Sequence, residues 1–424
     1  MTSVGPGVGT GVGTGGTVSA GSFSVAPMVG HTHRHYRAFW RLLSGHATLY
    51  TEMVSASALV AAADAPRPGD GDYLLAPCAD ANTVLQLGGG DEAVLAKAAA
   101  IGADLGYRSC NLNCGCPSIP VAGERQFGVA LMRDPRRVAS FMAAMRRGAP
   151  GCDLSVKHRL GVVDARAFDP ATDSAAASSA SAHEFVEEVS KECDTFIVHC
   201  RLGLLDDGSA RPERNPDKSR AAYQEKKENR AWTLKNRNVP HLRRNIATTL
   251  AKSYPSKAFV VNGGVQSVVE AREIATATGL GVMVGRAAVT HPCAFSAVDE
   301  VLYPHAPFIQ KPRTRGEVLE AYSEYVASVE RVDMTPAECK RLVSPIFHLY
   351  NGEPCAGIFM RRLKVLVEKK LGSQISARAV IAAAALEIPR EIADKPLEEY
   401  SPLGDLPNYA REAVRAGPFQ RVIH

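Results

Sequence analysis

The 424-residue chain has no run of 18 apolar residues, so no stretch of it reads as a membrane-spanning helix and no membrane partner is expected. It shows no secretory signal at its start. Its 10 cysteines do not form two separated C-x-x-C-like pairs, which argues against a structural zinc site. These absences predict an intracellular, reducing compartment, cytoplasmic or organellar (plastid or mitochondrion). Neither sign of charge is in large excess: 49 Lys and Arg stand against 44 Asp and Glu, a formal net charge of +5. That balance permits a polyanionic partner without requiring one. The first apolar run ends in Ala26-Pro27-Met28, not in a G-x-G-x-x-G turn. An open, doubly wound dinucleotide-binding sheet therefore lacks its fingerprint.

What is present reads as an ordinary globular chain, 46% hydrophobic and 22% charged. Residues 1–21 are rich in Gly, Val, Thr and Ser and carry no charged side chain. Such a segment cannot bury enough surface to offset its ordering entropy, so a disordered leader is expected. Eight short apolar runs follow: Phe23–Met28, Thr48–Val54, Val84–Leu87, Cys110–Cys114, Leu154–Lys157, Thr195–His199, Ala258–Val261 and Gly281–Val284. Helix-forming spacers separate most of them, as in Asp91–Leu105, Pro135–Arg147 and Ser267–Thr276. Strand alternating with helix eight times predicts an α/β fold, a closed parallel (β/α)8 TIM barrel over residues 22–303. Ala165–Ala182, rich in Ala and Ser, reads as an inert loop insertion. A second, polar and basic insertion covers about 206–224 and follows a barrel strand, where barrels place function. From about Pro304 only helical segments remain: Gly316–Glu330, Pro336–Tyr350 and Gly357–Leu371, the last with a basic face and Gly372 as C-terminal cap. They predict a small all-helical domain over 304–400 and a tail over 401–424.

The chemistry-bearing residues fall where strands meet loops. Asn113-Cys114-Gly115-Cys116-Pro117-Ser118 closes the fourth run. Gly115 lets the backbone turn and Pro117 fixes the loop. This holds Cys116 on the catalytic face as a nucleophile or general acid. Cys110 and Cys114 read as small buried hydrophobes. Lys157-His158-Arg159 ends the fifth run and His199-Cys200-Arg201 follows the sixth. Asn262-Gly263-Gly264 and Gly285-Arg286 end the last two. Exposed N–H groups of Gly263, Gly264 and Gly285, with Arg286 as counter-charge, suit the phosphate of a cofactor. Gln86 ends the third run, where a side-chain amide can hydrogen-bond a flavin edge. Lys157 can set a positive charge beside the flavin N1–C2=O edge, which becomes anionic on reduction.

Taken in order, Ala26-Pro27-Met28, Tyr50-Thr51-Glu52-Met53-Val54, Leu85-Gln86-Leu87-Gly88-Gly89, Asn113 to Ser118, Lys157 to Gly161, Asp194 to Arg201, Asn262 to Gly264 and Val282 to Arg286 resemble the tRNA-dihydrouridine synthases. The resemblance is greatest to the subfamily acting on positions 20 and 20a of the D-loop, and it runs from about Phe23 to about Lys370. It implies an FMN-dependent barrel in which NADPH is the reductant. Hydride passes from flavin to C6 of a uridine flipped out of tRNA, and a cysteine protonates C5. On that basis Cys116 is the proton donor. Pro27, Met28, Val29, Gln86, Lys157, His199, Asn262, Gly263, Gly264, Gly285 and Arg286 are FMN-binding. Asn113, Lys227, Arg230 and Arg361 contact tRNA. No metal is implied. A monomer is expected, because a large asymmetric polyanion must reach the pocket.

The chain departs from that pattern in three places. The family's Lys-x-Asn-Arg stretch is supplied by Lys227-Glu228-Asn229-Arg230, but after the second insertion. Ile358 stands where the first Arg of the helical domain's Arg-x-x-Arg signature is expected, and Arg361 fits the second. His31-Thr32-His33-Arg34 replaces an acidic-leaning stretch after the first strand. Three rival readings share part of the pattern. One is an FMN barrel oxidoreductase acting on a free pyrimidine, similar to dihydroorotate dehydrogenases. Another is a non-catalytic tRNA-binding paralogue, which intact Cys116, Lys157 and His199 disfavour. The third is a flavin-free structural barrel.

Overall fold

The computed structural model describes residues 21–66, 74–78, 80–118, 121–122, 127–205, 236, 239–332, 334–369 and 376–397. Residues 1–20 of the leader, the second insertion, Lys227, Arg230, Gly372 and the tail lie outside the described residues.

The strands are β1 (Phe23–Val25), β2 (Thr48–Tyr50), β3 (Val54–Ser55), β4 (Thr83–Gly88), β5 (Ser109–Cys114), β6 (Asp153–Arg159), β7 (Val162–Asp164), β8 (Thr195–His199), β9 (Gly203–Leu205), β10 (Ala258–Asn262) and β11 (Gly281–Val284). Eight of them pair in parallel in the order β1-β2-β4-β5-β6-β8-β10-β11, and β11 returns to β1. This is the (β/α)8 barrel that eight strand–helix alternations predict. β3 continues β2 along β4, and β7 and β9 pair in a separate two-stranded sheet formed by the chain just after β6 and β8.

Period-two alternation sorts the strand residues. Leu85, Leu87, Leu112, Val156, Val198 and Val261 belong to the core under the outer helices, while Val84, Ile197, Val260, Met283, Ala26 and Tyr50 form a distinct small cluster. Helices Glu92–Asp104, Pro135–Gly148, Ala175–Val189 and Val268–Thr278 lie between successive strands. Each starts on an Asp or Ser whose side chain accepts a backbone N–H of the first turn, from Asp91, Asp134, Ser174 and Ser267 in turn. These caps set where each loop stops and each helix begins.

Helices Arg315–Val329 and Pro336–Val343 open on capping boxes, Thr314 with Glu317 and Thr335 with Glu338. Ala356–Lys369 and Ala377–Ala385 follow. One apolar cluster runs from Phe23 and Trp40 through Tyr322 and Leu342 to Phe359, so this helical part shares a core with the β1–β11 side of the barrel. Phe39 meets Tyr322 edge-on at 5.7 Å and 89°.

The histidine-rich stretch after β1 has a physical account at this seam. His33 Nδ1 accepts Tyr36 N–H at 3.3 Å and so caps helix Arg34–Arg41. Its Nε2 then carries the proton and meets Ser344 Oγ at 3.3 Å. Burial, with His35 and the neighbouring arginines, holds the His33 pKa well below its ordinary value and keeps the ring neutral. His35 Nδ1 lies 2.8 Å from Tyr325 Oη. The stretch therefore ties the barrel's first loop to two helices of the C-terminal part.

Three local expectations are corrected. Ala175–Ala182, read as part of a loop insertion, forms the first two turns of helix Ala175–Val189, with Ser178 and Ala182 buried. Alanine favours helix, and Ser174 supplies the cap. Thr48–Val54 is not one strand, because residues 51–53 leave the ladder between β2 and β3. Pro336–Tyr350 is helical only to Val343 and passes into a short 3-10 turn at Ser344–Ile346, where Pro345 lacks the N–H that would extend the α-helix. The sheet of β7 and β9 was not foreseen.

Candidate active site

Seven strands deliver the predicted residues to one end of the barrel. Pro27, Met28 and Val29 follow β1, and Val29 is 65% exposed. Gln86 is buried in β4, Asn113 is buried near the end of β5, and Cys116 lies half-buried just beyond it. Lys157 is in β6, His199 ends β8, Asn262 ends β10, and Gly285 with Arg286 follows β11. The strands are parallel, so all these positions lie toward the C-terminal ends. Arg361 is exposed on helix Ala356–Lys369. Lys227 and Arg230 lie outside the described residues.

The cysteine loop is held from inside. Asn113 Oδ1 accepts the N–H groups of Gly115 at 3.1 Å and Cys116 at 2.9 Å. Its Nδ2 donates to Gln86 Oε1 at 2.9 Å. Cys116 Sγ lies 3.4 Å from Ser118 Oγ, and Val129 N–H donates to the Cys116 carbonyl at 2.9 Å. From the far side Arg159, 4% exposed, donates to the Gly115 carbonyl at 2.9 Å and to the Leu202 carbonyl at 2.8 Å. Gly115 and Cys116 are thus fixed at N–H and C=O alike.

Beside this loop the site is cationic, for Lys157 pairs laterally with Asn113. Burial, then repulsion from Arg159, pushes the Lys157 pKa down to about 8. Among the described residues Lys157 has no hydrogen-bond or ion-pair partner, and Cys116 is one of its electrostatic neighbours. Burial, then Arg159, Lys157, Arg201 and Arg286, drives the His199 pKa well below its ordinary value, so the ring is neutral. His199 Nδ1 is buried without a hydrogen-bond partner in the described protein. Burial, Arg286 and Arg244 lower the Arg201 pKa, and burial lowers that of Arg286. Arg244 is neutralised by Glu270 at 2.8 Å and donates to the Gly263 carbonyl at 2.9 Å. Lys157, Arg201 and Arg286 all act on His199, and none of them has a carboxylate partner among the described residues, an arrangement that favours an anion.

The glycines open the backbone beside these cations. Gly263 and Gly264 have φ of 132° and 74°, which side chains other than glycine rarely adopt. A Cβ added at Gly285 would first meet Ala26 at 3.8 Å. Asn262 Nδ2 donates to the Met283 carbonyl at 2.9 Å and fixes β10 against β11. Neighbouring residues of the same motifs face elsewhere. His158 stacks on Phe185 at 4.7 Å, its pKa pushed down to about 4 by burial. Cys110 and Cys114 are buried in the outer core.

The sequence places Arg159 and Arg201 in strand-end motifs without giving either a role, and it gives no sign of Asn236. Period two identifies the first, two positions beyond Lys157 on the same strand face. Asn236 is fully buried, accepts Leu204 N–H at 2.7 Å through Oδ1, and receives Arg159 through its carbonyl at 3.2 Å. No sequence signal marks it.

A (β/α)8 barrel whose strand ends gather a thiol loop, buried cations and glycine-opened backbone has the make-up of a barrel enzyme with an anion-binding site. Residues 24–332 match the dihydrouridine synthase family. Three similar proteins carry the name tRNA-dihydrouridine(20/20a) synthase. That of Xanthomonas campestris is 36% identical over 80% of this chain and 87% of its own length. That of Escherichia coli is 34% identical over 83% and 93%, and that of Synechocystis is 32% identical over 81% and 89%. The chain belongs to the dihydrouridine synthase family, whose members are FMN-dependent oxidoreductases. No helix among the described residues is long and apolar enough to cross a membrane.

Proposed function

We propose that this protein reduces a D-loop uridine of tRNA, at position 20 or 20a, to 5,6-dihydrouridine, with FMN as cofactor, NADPH as reductant and Cys116 as the acid. The observation that carries the reading is the cation set of Lys157, Arg201 and Arg286 around His199, whose Nδ1 is buried without a partner among the described residues, with Cys116 an electrostatic neighbour of Lys157. The residues fit FMN: a phosphate suits Arg286 with the N–H groups of Gly263, Gly264 and Gly285, and Lys157 and His199 offer donors to a polar ring edge. When bound, FMN supplies hydride to C6 of the uracil.

The chain's own residues supply the rest. The Cys116 thiol delivers its proton to C5, and Cys116 is left as thiolate until solvent reprotonates it. Lys157 stabilises negative charge on the reduced side of the reaction, since its charge has no other partner among the described residues. Asn113 and Arg159 keep the Cys116 loop in place from two sides. A base stacked in folded RNA cannot enter a barrel mouth, so the uridine must be flipped out. Lys227, Arg230 and Arg361 are assigned to the RNA backbone, and the protein works as a monomer.

The test is mass spectrometry of unmodified tRNA after incubation with protein and NADPH, mapped by position. A gain of two hydrogens at a D-loop uridine is expected. No gain, with flavin bound and NADPH oxidised, would transfer the reading to a free-pyrimidine oxidoreductase.

A further inference from the structure

The barrel interior holds four polar side chains that reach from the cysteine loop to the middle of the sheet. Gln86, Asn111, Asn113 and Ser155 are 1%, 0%, 8% and 7% exposed. Asn113 Nδ2 donates to Gln86 Oε1 at 2.9 Å, Gln86 Nε2 donates to Asn111 Oδ1 at 2.8 Å, and Asn111 Nδ2 donates to Ser155 Oγ at 2.9 Å. The β4–β5–β6 register brings them together, because Gln86, Asn111 and Ser155 are laterally paired neighbours.

The orientation of a side-chain amide is ordinarily ambiguous. Here it is dictated. The N–H groups of Gly115 and Cys116 can only donate, so the Asn113 oxygen must face them. Its nitrogen must then face the Gln86 oxygen, the Gln86 nitrogen must face the Asn111 oxygen, and the Asn111 nitrogen must face Ser155. Reversing any one amide sets donor against donor or acceptor against acceptor in a buried site, which is costly. The polarity is imposed from the loop end; at the other end the Ser155 hydroxyl, which can donate or accept, takes the Asn111 N–H and lies 3.5 Å from the Cys110 carbonyl. Without Asn111 the buried Gln86 nitrogen loses its acceptor, and a Gln86 that shifts to find another withdraws its oxygen from Asn113 Nδ2 and loosens Asn113 on the cysteine loop.

We infer that Asn111 is a positioning residue. It touches neither solvent nor the mouth of the barrel, and through the amide polarity of Gln86 and Asn113 it holds Cys116 in its working position. The inference rests on Cys116 being the proton donor, as proposed above. It adds that the cofactor-side glutamine and the acid loop are one hydrogen-bonded unit, set by a side chain three links from the thiol.

The test uses the full-length protein with Asn111→Leu and Asn111→Asp, both close to asparagine in size. The aspartate, ionised or protonated, still accepts from Gln86 Nε2; the leucine cannot. Two readouts are taken. One is the alkylation rate of the Cys116 thiol by iodoacetamide, followed by peptide mass spectrometry. The other is rapid-mixing measurement of flavin reduction by NADPH and, separately, of flavin reoxidation by unmodified tRNA. For Asn111→Leu the Cys116 alkylation rate should change several-fold. The tRNA-dependent step should slow by about 100-fold, the cost of a reacting group displaced by about an ångström. Flavin reduction by NADPH should stay within a few-fold, and Asn111→Asp should restore both thiol reactivity and the tRNA-dependent step. A residue that merely fills space would give similar Leu and Asp variants with an unchanged thiol. Wild-type alkylation and tRNA-dependent rates in Asn111→Leu would overturn the inference. If the leucine variant does not fold, Asn111→Ala is measured against the same expectation and the same refuting outcome. If wild-type protein makes no dihydrouridine the functional reading fails, and the alkylation rates still decide whether Asn111 sets the loop.

Discussion

Removing the Lys157 charge should stabilise the flavin-free protein while weakening its hold on FMN. The ammonium has no ion-pair partner among the described residues, and burial with repulsion from Arg159 lowers its pKa from the ordinary 10.5 to about 8. Such a fall corresponds to about 3 kcal/mol against the charged form, at about 1.4 kcal/mol per decade. Lys157 keeps part of its surface, so solvent screening reduces this to about 1–2 kcal/mol. Because the folded-state pKa lies below the unfolded one, the penalty is present in full below pH about 8. It fades as pH rises toward 10.5, where lysine is neutral in both states. Lys157→Met keeps the length of the side chain and removes the charge. Flavin-free Lys157→Met should therefore melt roughly 2–5 °C above flavin-free wild type at pH 7, and the gap should narrow at pH 9.5. FMN titration followed by fluorescence should show binding weakened about tenfold or more, one charge-assisted hydrogen bond having been lost. A variant that melts lower than wild type at pH 7, or a gap that does not shrink with pH, would refute the view that Lys157 is a strained, functional charge.

Cys116→Ala should retain yellow flavin and its reduction by NADPH but form no dihydrouridine in tRNA; mass spectrometry showing the normal rate would remove Cys116 as proton donor. Arg361→Ala, on an exposed helical face, should weaken tRNA binding and lower the slope of log K against log salt by about 1. Lys227→Ala should do the same, and an unchanged slope in both would place the phosphate contacts elsewhere. Arg315, 1% exposed, donates to the Leu349 carbonyl at 2.7 Å and lies 3.8 Å from Glu353. Arg315→Leu should cost about 3–5 kcal/mol in urea unfolding, since a buried carboxylate loses one of its partners. A cost under about 1 kcal/mol would show that Lys395, 3.2 Å from Glu353, suffices.

The strands and the strand-end residues were legible in the sequence for one reason: a barrel core needs short apolar runs at regular intervals, and its chemistry gathers where those runs stop. His199, Asn262 and Arg286 sit at such a boundary and Gln86 and Lys157 two residues short of one, because β4 runs on to Gly88 and β6 to Arg159, and the fold brings these ends together. What stayed hidden depends on which face a residue takes once two strands are paired. Arg159 and His158 are adjacent in sequence, yet one pins the cysteine loop and the other stacks on Phe185 in the outer core. Asn111 and Asn113 differ by two positions, so both point inward, and only lateral pairing with Gln86 and Ser155 shows that they act as one chain. The histidines after β1 depend on contacts about 300 residues away, with Ser344 and Tyr325, that no local pattern encodes. Motif reading therefore finds the groups that touch ligands, because their spacing follows the strands. It misses the groups that orient them, because their partners lie across the sheet. In this barrel the orienting set, Arg159, Asn111 and Asn113, outlines the position of Cys116 more completely than the Gly-Cys-Pro-Ser motif does.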